Sequence, residues 1–404
     1  MAIHFTRTTT AISDLTLHLK HAKQAGPEQM EQRTTFFPAE WHPQCGVQLT
    51  WPHAGTDWAP LLDEVTDCYV QMAFEIALRE QLLIVTPEPD AVCKLLHERL
   101  PARVQGNIHY FECPTNDTWA RDHGFLTLVT EQGPRLLDFC FNGWGEKFPA
   151  DLDNAINAKL FKGQGSKDNV PSSKFQVPSS MFSGHYEDHL DFVLEGGSIE
   201  SDGTGTLLTT ASCLLAPHRN QPLTRIEIEE RLLRWFHADR LIWLEHGRLE
   251  GDDTDGHIDT LARFCPGGII VYVQCTDPAE PQYAELHAME EELQALTVPG
   301  DSIAGSAFTL LPLPMPEPIF DPDDGHRLPA TYANFLIING AVLMPTYGQP
   351  ENDDRACRQL QKAFPKHEII PIDSRVLIRQ HGSIHCCTMQ FPVGAWKMEG
   401  TMDN

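Results

Sequence analysis

Between residues 47 and 372 the chain alternates short apolar runs with amphipathic stretches, and this recurrence limits the possible folds more than any single motif does. Residues 47–51 read as a strand closed by Pro52. Residues 60–81 read as a helix that places Leu61, Leu62, Val65, Cys68, Tyr69, Met72, Ala73 and Ile76 on one face. A buried strand at 82–85, a helix at 89–100 that opens on proline, and a strand at 107–112 complete the first unit. The order returns as helix 225–238 with strand 240–244, strand 268–274 with helix 283–296, and the strand-like run 335–344 before helix 354–364 and strand 368–372. Repetition of this kind predicts an α/β fold with no linker between independent domains.

The chain has 404 residues, 41% hydrophobic and 21% charged, and no apolar run approaches the roughly 18 residues of a membrane span. Thirty basic against 56 acidic residues give a formal charge of −26, which repels nucleic-acid phosphates and anionic membranes and attracts cations. No nucleic-acid or membrane partner is expected. Residues 1–36 form a polar leader without the apolar block of a signal peptide, so a cytoplasmic location is expected. Residues 162–180, dense in Gly, Ser, Lys and Pro, read as a flexible surface insertion. The eleven cysteines include no Cys-x-x-Cys pair and read as reduced thiols, not as a disulfide frame or a zinc knuckle.

Chemistry is carried by the polar junctions between apolar runs. The loop 114–124 brings Trp119 together with Asp117 and Asp122, although a solvated turn around one packed tryptophan would read the same way. Glu195 ends an apolar run, and Gly196 and Gly197 then allow close approach of a ligand or backbone. In the junction 251–259, an extended course through Ile258 would point His257 and Asp259 to one side. Its aspartates could also form a hard-metal loop, but the ligand order of an EF-hand is missing. The glycines of 202–206 precede no Lys-Ser or Lys-Thr and make no phosphate loop, and 345–355 reads as a turn with an N-cap. In the stretch 381–392, Gly382 and Ser383 permit a tight turn and 384–389 reads as a buried extended segment. Cys386 is then either a thiol presented at a cleft or, with Cys387, an ordinary buried cysteine. In a strand, His385 and Cys387 would face away from Cys386, which makes His385 a core or supporting residue and not a catalytic base.

One thiol, one imidazole and three acids do not suit acyl transfer, because surplus carboxylates oppose a developing oxyanion. They suit a cationic electrophile. A planar guanidinium accepts paired carboxylate clamps, and its charge would favour the thiolate.

On these residues the chain resembles the agmatine deiminase family, grouped with the bacterial-type peptidylarginine deiminases. The resemblance runs through Phe37-Pro-Ala-Glu-Trp41, Asn116-Asp-Thr-Trp-Ala-Arg-Asp122, Phe141-Asn-Gly-Trp-Gly145, Leu194-Glu-Gly-Gly-Ser-Ile199, Asp252-Asp-Thr-Asp-Gly-His-Ile-Asp259, Tyr347-Gly348 and Ile384-His-Cys386. It implies a pentein, five ββαβ-like modules about a pseudo-fivefold axis, with residues 37–404 as a single catalytic domain. It further implies that Cys386 is the nucleophile, His257 the acid and base, Glu195 its orienting partner, Asp122 and Asp259 the guanidinium clamp, and Trp119 a wall of the channel. The implied reaction converts agmatine to N-carbamoylputrescine and ammonia through an amidino-cysteine, a step toward putrescine in polyamine synthesis. It needs no metal or organic cofactor, takes a small cationic guanidine as partner and allows a homo-oligomer. His381-Gly382-Ser383 departs from the family's Gly-Gly-Gly-Asn, and the leader and the 162–180 loop are longer than usual, so peptidyl-arginine and free arginine stay open as substrates. Free arginine is disfavoured, because no arginine pair is evident for its carboxylate. Two readings of other classes are a metal-dependent hydrolase built on His257, the nearby aspartates and His385, and a non-catalytic pentein binding protein. Amidino transfer to an amine is a variant of the thiol chemistry.

Overall fold

The apolar runs assemble into five sheets in the structure, a computed structural model that describes residues 33–162, 182–296 and 308–396. Residues 1–32 of the expected leader and 163–180 of the expected insertion lie outside the described residues. Thr35–Phe36 already pairs as a strand with Val129 and Thr130, so the leader expected to run to residue 36 ends earlier.

Every sheet carries the same connection. Two strands pair antiparallel, and the second takes a parallel neighbour. In chain order the antiparallel pairs are Leu126–Thr130 with Arg135–Cys140, Ile199–Ser201 with Thr206–Thr210, Ala262–Cys265 with Ile269–Gln274, and Leu336–Ile338 with Ala341–Thr346. Their parallel partners are His185–Val193, Arg240–Leu244, Thr309–Pro314 and Glu368–Asp373. The remaining sheet joins the chain's two ends: Thr388–Pro392 runs antiparallel to Gln44–Thr50, which is followed in parallel by Gln81–Thr86 and Ile108–Glu112. Parallel pairing requires a crossover, and helices Leu62–Ala77, Pro89–Arg99, Arg225–Trp235, Tyr283–Ala295 and Pro350–Ala363 lie in five of these connections.

The helices form where the apolar period placed them, with shifted ends. The first begins at Leu62 instead of residue 60 and stops at Ala77, and Gln81 opens the next strand. The last begins at Pro350, not 354. Proline occupies its first turn, and Asp353 accepts from the backbone N–H groups of Tyr347 and Gln349, which makes the expected preceding turn part of the helix. The 335–344 run is a hairpin whose Asn339-Gly340 tip uses the positive φ of Gly340.

A buried ion lattice ties the sheets together. The Arg263 guanidinium is fully buried and donates to Glu40 Oε2 at 2.8 Å, to Glu200, and to the Phe335 carbonyl at 2.7 Å. Glu40 also accepts from the Ile337 N–H at 2.6 Å, and Arg121 stands 3.7 Å from it. Burial would raise the Glu40 carboxyl, but His385, Arg263 and Arg121 hold it well below the usual carboxylate range. Removing one partner from such a lattice leaves uncompensated charge in a dry interior. Arg263→Met is expected to lower unfolding free energy by about 3–5 kcal/mol in urea denaturation; a loss under about 1 kcal/mol would show that the lattice does not hold the sheets.

Candidate active site

The segments that lead into the first strand of each antiparallel pair carry the polar side chains. Cys386 lies just before Thr388–Pro392, Asp122 before Leu126–Thr130, Glu195 and Gly197 before Ile199–Ser201, His257 and Asp259 before Ala262–Cys265, and Asn334 before Leu336–Ile338. Residues far apart in sequence thus occupy equivalent positions in five sheets.

Their convergence can be read at Gly197. A methyl group there would lie 2.6 Å from His257 Nδ1 and 3.0 Å from both Asp122 Oδ1 and Asp259 Oδ2, so no larger side chain fits among them. The Gly197 N–H donates to Asp122 Oδ1 at 3.0 Å, and the indole N–H of Trp144 donates to Asp122 Oδ2 at 3.0 Å. His257 Nδ1 is 3.7 Å from Asp122 Oδ1. Asp259 Oδ2 binds His385 Nδ1 at 2.7 Å and lies 4.0 Å from Cys386 Sγ, while its Oδ1 is buried without a partner. Glu195 Oε1 accepts from Arg219 Nε at 2.8 Å. Glu195 lies within 4.8 Å of His257, with Cys213 in the same cluster, and no hydrogen bond joins acid and imidazole.

Two local expectations are corrected. Residues 384–387 form a turn and not an extended segment, because Asn334 Oδ1 accepts from the N–H groups of both His385 (3.0 Å) and Cys386 (3.3 Å). Adjacent N–H groups of a strand point opposite ways and cannot share one acceptor. His385 and Cys386 therefore approach the same Asp259 carboxylate, and only Cys387 turns away, into the core near Tyr69. Residues 258–260 likewise form a 3₁₀ turn, with His257 at its head and Asp259 within it.

A cleft of about 580 Å³, open solvent at its mouth included, reaches Cys386. Asp57, Asp117, Asp122 and Asp253 line it together with Trp119, Trp144 and Phe148, and no Lys or Arg is among the lining residues. The Trp119 ring rests on Gly382, where a Cβ would come within 2.1 Å of it. Burial, then the charges of Asp259 and Asp122, push the Cys386 thiol well above its ordinary value. Burial alone would depress His257, but Asp122, Cys213 and Asp259 raise it well above the usual imidazole range. Burial pushes Asp253 up to about 6, with His381 opposing the rise.

The hard-metal reading of 251–259 does not fit these contacts. Asp252 accepts from Thr254 and from the Gly256 N–H, Asp255 pairs with Lys147 and Arg219, and both His385 nitrogens are engaged, by Asp259 and by Glu40 at 2.6 Å. Four contributors are not evident from the sequence. Glu40 and Trp144 lie inside family motifs that imply no role for them, whereas Asn334 and Cys213 carry no signal beyond a polar residue beside an apolar run.

The sequence pattern of the Porphyromonas-type peptidyl-arginine deiminase family matches residues 36–392. The chain belongs to this family. An agmatine deiminase of Pseudomonas syringae pv. tomato is 33% identical over 379 residues, spanning 88% of this chain and 95% of its own. A Porphyromonas gingivalis structure provisionally named an arginine deiminase is 46% identical, with a TM-score of 0.80 over 90% of this chain and all of that one. A C. jejuni agmatine deiminase, solved as a cysteine-to-serine variant with substrate bound, is 36% identical with a TM-score of 0.76, covering 89% of this chain and 97% of that one. These likenesses bear out the α/β pentein fold expected from the sequence.

Because only the thiolate reacts with alkylating agents, a thiol pushed up by burial and carboxylates should gain reactivity about tenfold per pH unit. Iodoacetamide labelling of Cys386 in ligand-free protein, followed by peptide mass, is expected to climb from pH 7 to 9 without a plateau. A plateau by pH 7 would contradict the electrostatics described.

Proposed function

We propose that this chain is a cysteine-dependent deiminase that hydrolyses the guanidinium of agmatine to a ureido group, giving N-carbamoylputrescine and ammonia. The observation that carries this reading is the cleft: a thiol at its floor, carboxylates around it, and no Lys or Arg along its lining. Asp122 and Asp259 are the proposed clamp: both are buried, they come together at Gly197, and Asp259 keeps one oxygen unpartnered beside the Cys386 sulfur, so a planar guanidinium could pair with both. Several relatives are agmatine deiminases by name, which supports the same reaction class.

In the proposed cycle the bound cation lowers the thiol pKa that Asp259 and Asp122 raise, and the Cys386 thiolate attacks the guanidinium carbon. His257, held in its charged form by the acids around it, donates a proton to one departing nitrogen and ammonia leaves. The amidino group stays on sulfur with the substrate tail attached. Water, deprotonated by His257, then adds to the same carbon, the C–S bond breaks, and the ureido product leaves the thiolate behind. Glu195 is assigned to the support of His257, through proximity within a shared buried cluster and without a direct hydrogen bond. No step calls on a metal or organic cofactor.

The tail would run between Trp119, Trp144 and Phe148 toward Asp253 and Asp57 at the mouth, where a second positive charge is favourable and a carboxylate is not. This favours agmatine over free arginine. Peptidyl-arginine, whose flanking groups are neutral amides, is the second reading and rests on the description of the matching family. We further propose that the five sheets stand about a pseudo-fivefold axis in one catalytic domain, and that the enzyme works in the cytoplasm on the route to putrescine.

Ammonia release from agmatine, free arginine and a blocked arginine peptide tests the reading. Like charges brought together cost several kcal/mol, so kcat/KM for agmatine is expected to exceed that for arginine by about 100-fold or more. Equal or faster turnover of the peptide would move the assignment to peptidyl-arginine.

A further inference from the structure

Beside His257, three side chains from separate segments bring possible ligand atoms within 4.8 Å of one another: Glu195, Cys213 of the short helix Ala211–Leu214, and His257. All three are fully buried. Glu195 Oε2 has no hydrogen-bond partner, while Arg219 holds Oε1, and the His257 ring meets the Cys213 thiol and, at 3.7 Å, the Asp122 carboxylate. A buried carboxylate oxygen is rarely left so, and its place beside a thiol and an imidazole calls for an occupant. A guanidinium clamped between Asp122 and Asp259 does not account for Cys213 or for the free Glu195 oxygen. The second grouping of this composition among the described residues, Glu40, Glu200 and His385, is closed: its imidazole lies between two carboxylates and its acids hold Arg263.

We propose that Glu195, Cys213 and His257 form a zinc(II) site that shuts the enzyme off when it is filled. The donor set selects the metal. A thiolate, an imidazole and one carboxylate suit borderline Zn²⁺ in a four-coordinate site with one position left for water, whereas Mg²⁺ and Ca²⁺ prefer oxygen donors. Two anionic ligands and one neutral imidazole balance the ion's charge, and the thiol and imidazolium protons displaced go to solvent. Inhibition rests on the deiminase reading above, because a metal on the imidazole occupies the lone pair that must accept a proton from water. Binding itself does not depend on that reading.

The experiment titrates ZnCl₂ into chelator-treated, full-length protein by isothermal calorimetry, using wild type, Cys386→Ser, Cys213→Ser and Cys213→Ala. Cys386→Ser removes the nucleophile as a competing ligand and is expected to bind one zinc per chain, as wild type does. Loss of a ligand is expected to weaken binding by about tenfold or more in both Cys213 variants, with circular dichroism confirming that they are folded. In a Cys386→Ser background, Co²⁺ is expected to give a thiolate-to-cobalt charge-transfer band, a readout that survives failure of the Cys213 variants to fold. Binding that is unchanged in the folded Cys213 variants, binding that disappears in Cys386→Ser, or absence of the cobalt band overturns the site. If zinc binds as described but no guanidine compound is turned over, the functional reading fails and the metal site stands.

Discussion

Asp259 stands between two demands on its carboxylate, the His385 ring at 2.7 Å and the Cys386 sulfur at 4.0 Å, and the rest of the structure depends on this position. Through His385 it joins the lattice of Glu40, Arg263 and Arg121 on which the sheets are hung. Toward Cys386 it places the negative charge that raises the thiol and that, in the proposed function, a cationic substrate would neutralise. A buried carboxylate is costly without a partner, so one side of Asp259 is satisfied permanently by the core and its free Oδ1 is left for a visitor. The same residue is thus part of the scaffold and part of the trap.

The site's composition follows from the repeated connection of the fold. Each antiparallel pair begins with a short irregular segment, and such segments tolerate glycine, turns and unpaired backbone that strands do not. Gly197 shows the consequence: its missing Cβ is what lets His257, Asp122 and Asp259 meet. Because each polar side chain stands at the start of a strand anchored by its neighbours, the pocket is held by five sheets and by no single loop. The electrostatics then work by difference. Burial and the acids raise the Cys386 thiol, and in the proposed cycle a cation between those acids would reverse that field, so that thiolate and substrate arrive together.

Much of this was legible in the sequence, for a physical reason that differs by residue. The α/β architecture could be read because amphipathic helices and apolar strands leave distinct periods. Glu195 and His257 stood out beside glycine at the ends of apolar runs and Asp259 by its spacing from His257, whereas Asp122 and Cys386 were singled out only by the family resemblance. The conformation of 384–387 could not be read. Its residues have strand propensities, and the turn is imposed by the Asn334 side chain, some fifty positions earlier in the chain. Glu40 was hidden likewise, since its partners Arg263, His385 and the Ile337 N–H are remote in sequence. The assignment of individual roles leaned on family resemblance, which geometry complements by bringing the acids and the sulfur to one place.

The most direct test of that convergence is the mass of the protein caught in the act. Acid quenching during turnover of agmatine, followed by intact mass and peptide mapping, is predicted to find the amidino group with its aminobutyl tail on the peptide that carries Cys386, attached to that sulfur. Turnover with no covalent species, or a species on Cys387 or Cys213 instead, would contradict the account.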